Sequence, residues 1–454
     1  MNLASLLLDH PFADDEPLLH GTERSWTAGE ARAEVARLVG ELERAGVPVG
    51  AGVAGRVAGC DAVITMTACW AHGAVFVPVN DRMPEGAVAE LLDRTGVTAL
   101  VDDNGVVAAP GAARFEPGAA FVLFTSGTTG EPKPIVHHHD AYLEIIDRVL
   151  GPLAAGRDPT KRPSPNLIPV PMALNAGIYN ALFGLRAGSP LVLMDRFTTG
   201  EFAALVERHE IRSTVLPPAS IAMLNDDPAI DGFGPLRYVR SITAPLSPFQ
   251  ARRFTERFGA FVLNGYGQAE LGEVIGWTAA DAKAHPDKIG AVGRPHSGVD
   301  VRIDAPDGNG VGELYVRPPA APSDSVAATL GDRLGRDGFV RTGDLARQDD
   351  DGFVWIEGRT GDVVNRGGNK VFPDEVEEVL TAVPGVVEAA LVGRPDERLG
   401  EVPVAFVVGD AEPAALEAAC RAALVPYKVP VAFIPVDTLP RNDVGKVLRR
   451  ELRP

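Results

Sequence analysis

The sequence predicts an α/β protein with more than one domain. Three observations lead there: a length of 454 residues, alternating helix-like and strand-like segments up to about residue 290, and a hairpin texture beyond it. A single hydrophobic core stops growing well below this length, so two or more domains are expected. Hydrophobic residues make up 45% of the chain, enough to fill such cores.

The elements follow in order. MNLASLLLDHPFADDEP has no basic region and turns acidic at once, so it reads as a short amphipathic helix and not as a secretory signal. In WTAGEARAEVARLVGELERAGV, Thr27 is an N-cap and Glu30 stands three residues on, a capping box that opens a helix. AVFVPVN, VTALVDD and AAFVLF are short apolar runs, as parallel strands covered on both faces require. EFAALVERHE, STVLPP, PFQARRFTERFG and AFVLNGYG continue the alternation as helix, strand, helix, strand. Beyond residue 290, VDVRIDAPDGNGVGELYVRPP reads as two antiparallel strands about a Gly/Asp/Asn turn, and DGFVRTGDLARQDDDGFVWIEGR repeats the style. FPDEVEEVLTAVPGV opens a helix with Pro373 and early acids, as the helix dipole favours, and Val376, Val379 and Leu380 form its apolar stripe. The remainder reads strand, helix, strand and a short tail. Gly358 and Gly361 flank an arginine near Arg359–Asp362, which predicts a boundary between domains 1–360 and 361–454.

The net charge is −18, from 43 basic and 61 acidic residues. Such a surface repels nucleic acid and anionic membranes, so neither is expected as a partner. No apolar run has the length of a bilayer span. Cys60, Cys69 and Cys420 form no paired or metal-binding pattern and are expected as small buried hydrophobes in a reducing cytoplasm. Lysine is confined to Lys133, Lys161, Lys283, Lys288, Lys370, Lys428 and Lys446, the other basic residues being arginine. A retained lysine marks a place where a compact, flexible ammonium suits better than a planar fork.

FTSGTTGEPK, from Phe124 to Lys133, begins where the apolar strand AAFVLF ends, a position α/β folds favour for ligands. Its hydroxyls, glycines and free N–H groups suit an anion. The spacing is not that of the usual phosphate loop, because Gly127 and Gly130 are three apart. Four further stretches need the same explanation: NGYGQAE, RTGDL, GRTGDVVNRGGNKV and PRNDVGKVLRREL. Together the five resemble, in order and spacing, the adenylate-forming superfamily of acyl-CoA synthetases, peptide-synthetase adenylation domains and luciferases. The resemblance runs from about residue 20 to the C-terminus.

The resemblance implies a large N-terminal domain of layered α/β subdomains with a β-barrel-like subdomain, and a small mobile α+β lid. It implies ATP-dependent conversion of a carboxylic acid to an acyl-adenylate with release of pyrophosphate, then transfer to a thiol, most often of coenzyme A. Thr125, Ser126, Thr128 and Thr129 would donate to the β- and γ-phosphates, Gly127 and Gly130 would let the backbone close around them, and Lys133 would fix or balance the loop. Tyr266 would lie against the adenine with Ala244 and Pro245 on the other side, and Thr243, Gly265 and Gly267 are expected in the same ATP site. Asp344 would accept the ribose hydroxyls, and Arg359 would contact ribose or phosphates. Glu270 would hold Mg²⁺, and Lys446 would bridge the acyl carboxylate and the α-phosphate as the catalytic lysine. Gly361 matches the hinge, and Gly367 and Gly368 the thiol tunnel.

Departures from the pattern narrow the substrate. Leu174 stands where the family frequently has an aromatic residue or His, and Ile242 and Thr243 where small residues are usual. An Ile there takes up space a long chain would need, so a small or short acid is expected beside Leu174, Asn175, Ile242 and Asn264. Ala269 replaces the usual Thr, which removes one phosphoryl contact, and Asn365 stands where many members have Lys. His137, His138 and His139 cannot converge on one ion if they lie on a strand, so they are expected to pack near the loop. Eight residues follow Lys446, so no attached carrier is expected. The acceptor is then free coenzyme A, the phosphopantetheine of a separate carrier protein, or a small amine. The alternatives of another class are an inactive nucleotide-binding or scaffold relative and a phosphotransferase that merely binds ATP.

Overall fold

Thr27 caps its helix as the capping box requires. Its hydroxyl accepts from the Glu30 N–H at 3.2 Å, and the Glu30 carboxylate accepts from the Thr27 N–H at 2.8 Å. The helix runs over Ala28–Arg44 and buries Ala28, Ala31, Val35, Leu38 and Leu42, a single stripe at helical period. The computed structural model describes the chain except for Glu23, residues 126–132 and 155–161, Thr243, Pro245, and residues 442–446 and 453–454. It divides into two compact units. One comprises Met1–Ile289, His296–Gly298 and Pro318–Asp332; the other comprises Gly290–Pro295, Val299–Arg317 and Arg333–Pro454.

The first unit holds two sheets. In one, Gly52–Gly55 pairs in parallel with Val75–Pro78 and Ala99–Asp102, and Val75–Pro78 with Ala119–Thr125. Antiparallel edges close it: Gly105–Ala108 on one side and Lys133–His138 on the other. The three apolar runs are thus buried parallel strands. The second sheet runs Ser25–Thr27, Pro17–His20, Leu191–Leu193, Asn166–Ile168, Ser213–Val215, Tyr238–Ser241, Phe261–Gln268 and Gly272–Gly276. Its middle strands are all parallel, and Gly272–Gly276 returns as a hairpin on Phe261–Gln268. The α/β class therefore holds. Two large cores back these sheets, one around Trp70, Phe121 and Tyr142 and one around Phe202, Phe233 and Phe254.

The three histidines diverge. His137 is buried, stacked on Phe121 at 4.8 Å and set edge-on to Tyr142 at 5.2 Å. His138 Nε2 lies 3.0 Å from Glu116, and the His139 Nδ1 accepts the Leu3 N–H at 3.2 Å. Among the described residues no cluster of three or more His, Cys, Asp or Glu side chains is poised to hold a metal ion. Cys60, Cys69 and Cys420 are free and buried. Among the described residues no helix is long and apolar enough to cross a membrane.

The second unit is β-rich. Asp300–Asp304, Gly312–Arg317, Val340–Gln348 and Val354–Arg359 form an antiparallel meander. A second sheet places Gly400–Gly409 between Val386–Asp396 and the small hairpin Val364–Arg366/Asn369–Val371, with Ala432–Pro435 added in parallel. The helices Pro373–Thr381 and Pro413–Ala423 pack Val376, Leu380, Leu416 and Cys420 against Leu391 and Ala405. One correction belongs here. The segment after Pro373–Thr381 is a long hairpin, where the sequence pattern suggested one strand. The Asp396 carboxylate makes the turn, accepting the Arg398 and Leu399 N–H groups at 2.9 Å each.

Candidate active site

The polar loop is framed by a strand pair. Thr125 ends one strand directly opposite Lys133, which begins the next. Ser126, Gly127, Thr128, Thr129 and Gly130 lie outside the described residues, as do Thr243, Pro245 and Lys446.

Two neighbouring parallel strands bring several expected residues together. Ser241 is paired with Asn264, so Ile242 leaves its strand beside Asn264. Ile242 is half-buried against the core around Tyr142, and Ala244 is exposed. The Asn264 Oδ1 accepts the Gly265 N–H at 3.1 Å. The ladder shifts register between Tyr266 and Gly267, and a Cβ on Gly267 would stand 2.1 Å from the Gly272 carbonyl oxygen. The close hairpin thus demands glycine at 267 whatever else binds there. Tyr266 is half-buried and its hydroxyl accepts from Gln268 Nε2 at 3.4 Å. Glu270 is half-buried in the turn that joins these strands. On a third element, Leu174 is the N-cap of the helix Asn175–Arg186. The Asn175 Oδ1 accepts the hydroxyl of buried Tyr142 at 2.6 Å.

The sequence reading missed a charged cluster in this unit. Arg240 Nη2 donates to one Glu273 oxygen, and His296 Nε2 lies 3.1 Å from the other. Burial alone would raise the Glu273 carboxyl; Arg240 and the His296 hydrogen bond outweigh it and hold it below the ordinary value. No local pattern announces it: Arg240 lies on Tyr238–Ser241 and Glu273 on Gly272–Gly276, strands that the sheet separates by Phe261–Gln268.

In the second unit Asp344 stands directly across the ladder from Arg359. Arg359 Nε is 3.1 Å from Asp344 Oδ1; the carboxylate is 6% exposed and the arginine 53%, so a buried acid is met by a cation open to solvent. TGD is not a turn. Between the pairs Arg341–Tyr315 and Leu345–Glu313, Thr342, Gly343 and Asp344 oppose Leu314 alone. This bulge re-aims Asp344, and Thr342 braces it, donating to the Leu314 carbonyl at 2.8 Å and accepting the Asp344 N–H at 3.1 Å. Gly361 has no left-handed φ, and a Cβ there would meet open space. Gly367 and Gly368, at φ +59° and +86°, make the two-residue turn between paired Arg366 and Asn369, a conformation that favours glycine twice.

Near the C-terminus, Arg449 is drawn into a cluster of acids. Arg449 reaches Glu377 at 2.8 Å, Asp374 at 3.4 Å and Asp362 at 3.8 Å. Burial raises the Asp374 and Glu377 carboxyls, against the pull of Arg449. Arg441 is tied to Glu388 at 2.5 Å.

Comparison with known proteins gives a consistent answer. The family profile "AMP-binding enzyme" matches residues 10–118 and 112–322, and "AMP-binding enzyme C-terminal domain" matches residues 375–446. A sulfoacetate–CoA ligase of Cupriavidus necator is 32% identical over 400 residues, covering 81% of this chain and 76% of the relative. A fatty acid–[acyl-carrier-protein] ligase, ScoC, of Streptomyces coeruleorubidus is 30% identical over 440 residues, covering 85% and 82%. Among solved structures, the amide bond synthetase McbA of Marinactinospora thermotolerans superposes with a TM-score of 0.80 at 27% identity, covering 99% of this chain and 98% of that one.

Proposed function

Since this chain belongs to the AMP-binding enzyme family, and so is an ATP-dependent, AMP-forming acid ligase, we propose that it activates a small carboxylic acid and passes the acyl group to coenzyme A. The observation that supports the residue assignment best is the pairing of Asp344 with Arg359. A buried carboxylate on a bulge, met by an exposed guanidinium, suits the two hydroxyls of a ribose beside a phosphate chain.

In this reading Thr125, Ser126, Thr128 and Thr129 bind the β- and γ-phosphates, Gly127 and Gly130 allow close backbone approach, and Lys133 fixes or balances the loop. Tyr266 lies on the adenine, between Gly265 and Gly267, with Thr243, Ala244 and Pro245 opposite. The acid carboxylate attacks the α-phosphorus, pyrophosphate leaves, and Lys446 stabilises the charge that develops between them. Glu270 offers a hard, half-buried carboxylate of the kind Mg²⁺ takes, and the ion when bound neutralises phosphate charge. Leu174, Asn175, Ile242 and Asn264 border the acid, and half-buried Ile242 limits its length. Residues 361–454 act as a lid that turns about Gly361, bringing Gly367 and Gly368 to the path of the incoming thiol. The cytoplasm, which holds ATP and coenzyme A, is the compartment this chemistry needs.

Coenzyme A is favoured by the sulfoacetate–CoA ligase relative. ScoC and McbA support a carrier protein or an amine as the next acceptors to test. Exchange of labelled pyrophosphate into ATP, run over a panel of acids and followed by addition of coenzyme A, carrier protein or amine, separates these. Short acids should support exchange, and coenzyme A should then consume the adenylate. A panel in which long-chain fatty acids outcompete short acids would overturn the substrate assignment. An absence of exchange with every acid would favour an inactive relative.

A further inference from the structure

Asn175, Tyr179 and Phe183 are spaced four residues apart on the helix Asn175–Arg186 and therefore share one face. The face can be followed by contact. Tyr142, which donates to Asn175, has its ring 6.5 Å from that of Tyr179. Phe183 lies 5.9 Å beneath the Arg240 guanidinium. The stripe thus leads from Asn175, assigned above to the acid pocket, to the Arg240–Glu273–His296 cluster. The sheet leads to the same place. Arg240 precedes Ile242 by two residues, so an extended chain puts both on one side. Glu273 closes against Gly265, where a Cβ would stand 3.1 Å from its carboxylate oxygen, and Gly265 adjoins Asn264.

The hydrogen bonds of this region do not balance. Both Glu273 oxygens are engaged, one by Arg240 and one by His296. The Tyr179 hydroxyl is buried with no hydrogen-bond partner, on a residue 8% exposed. Arg240 carries five N–H donors, and among the described residues it donates one hydrogen bond. A buried tyrosine hydroxyl and an arginine with spare N–H donors thus lie beside residues assigned to the substrate.

We propose that the acid this chain activates carries, beyond its reacting carboxylate, an uncharged hydrogen-bond acceptor, a hydroxyl or carbonyl oxygen, received by Tyr179 and Arg240. The group is uncharged because Glu273 already balances Arg240; a second full anion would also face the Glu273 carboxylate. An unsubstituted acid would leave the buried Tyr179 hydroxyl and the Arg240 donors unmatched, and sites built this way reject the analogue that lacks the partner. The inference rests on the adenylation reading above.

The test compares pyrophosphate release with matched acids: butyrate, 3-hydroxybutyrate, 3-oxobutyrate and succinate, and the corresponding three- to six-carbon sets. The hydroxy or oxo acid should exceed its unsubstituted partner in kcat/KM by at least about tenfold. Tyr179→Phe, which removes one oxygen and keeps the ring packing, should shrink that ratio about tenfold, mainly through KM. The double variant Arg240→Met/Glu273→Met, which removes both members of the ion pair together, should abolish the preference. Unsubstituted acids used as well as their partners, a preference for succinate, or a folded Tyr179→Phe with an unchanged ratio would each overturn the inference and leave adenylation standing. No release with any acid would overturn adenylation itself, and this inference with it.

Discussion

His137 should make the first unit acid-labile. The residue is 3% exposed, its Nε2 is buried without a hydrogen-bond partner, and aromatic rings pack on it. Burial first, and His138 second, lower its pKa from 6.5 to about 4. A histidine whose folded pKa is depressed is neutral in both states above pH 6.5. As pH falls the unfolded chain takes the proton first, so stability is lost progressively and the loss is complete below about pH 4. From the two pKa values, the loss at pH 5 is about 2 kcal/mol, rising to about 3 kcal/mol below pH 4. His137→Phe keeps an aromatic ring there and removes the titration. Urea unfolding of the first unit, compared between pH 7.5 and pH 5, should cost the wild type about 2 kcal/mol more than the variant. Taking the pH difference cancels any fixed packing cost of the larger ring. An NMR titration gives the pKa directly. A His137 signal titrating near 6.5, or equal pH losses in the two proteins, would refute the argument.

Other expectations follow from the same geometry. Gly267→Ala forces a Cβ to 2.1 Å from the Gly272 carbonyl oxygen, so the hairpin must shift; about 1–3 kcal/mol of stability should be lost, visible as a lower Tm. Asp344→Asn removes the charge paired with Arg359; the KM for ATP should rise at least about tenfold while stability changes little, measured by pyrophosphate release and thermal unfolding. Lys446→Ala should nearly abolish adenylate formation and leave ATP binding largely intact, as calorimetry with ATP beside pyrophosphate exchange would show; an unchanged exchange rate contradicts its role.

Local chemistry is what the sequence displayed. The Thr27–Glu30 capping box, the buried parallel runs and the hairpin from Asp300 to Arg317 are each written in adjacent residues, and each formed as expected. The opposition of Asp344 and Arg359 was expected only as two roles at one nucleotide; the ladder makes them direct neighbours. Arg240, Glu273 and His296 were not legible, because their partners lie 33 and 23 residues apart and meet only once strands and a loop assemble. Arg449 was equally illegible: it becomes a half-buried ion pair only when Pro373–Thr381 presents Asp374 and Glu377 to it. The hairpin Val386–Asp396/Gly400–Gly409 was read as one strand because an Asp396 side chain, and not a local glycine pair, makes its turn.

The most direct measurement follows an oxygen atom. If the acid carboxylate attacks the α-phosphorus of ATP, an acid labelled with ¹⁸O must leave one labelled oxygen in AMP after the acyl group moves to its acceptor. Mass spectrometry should find singly labelled AMP and unlabelled pyrophosphate. Label in inorganic phosphate with ADP as the product, or AMP free of label, would mean that no acyl-adenylate is formed.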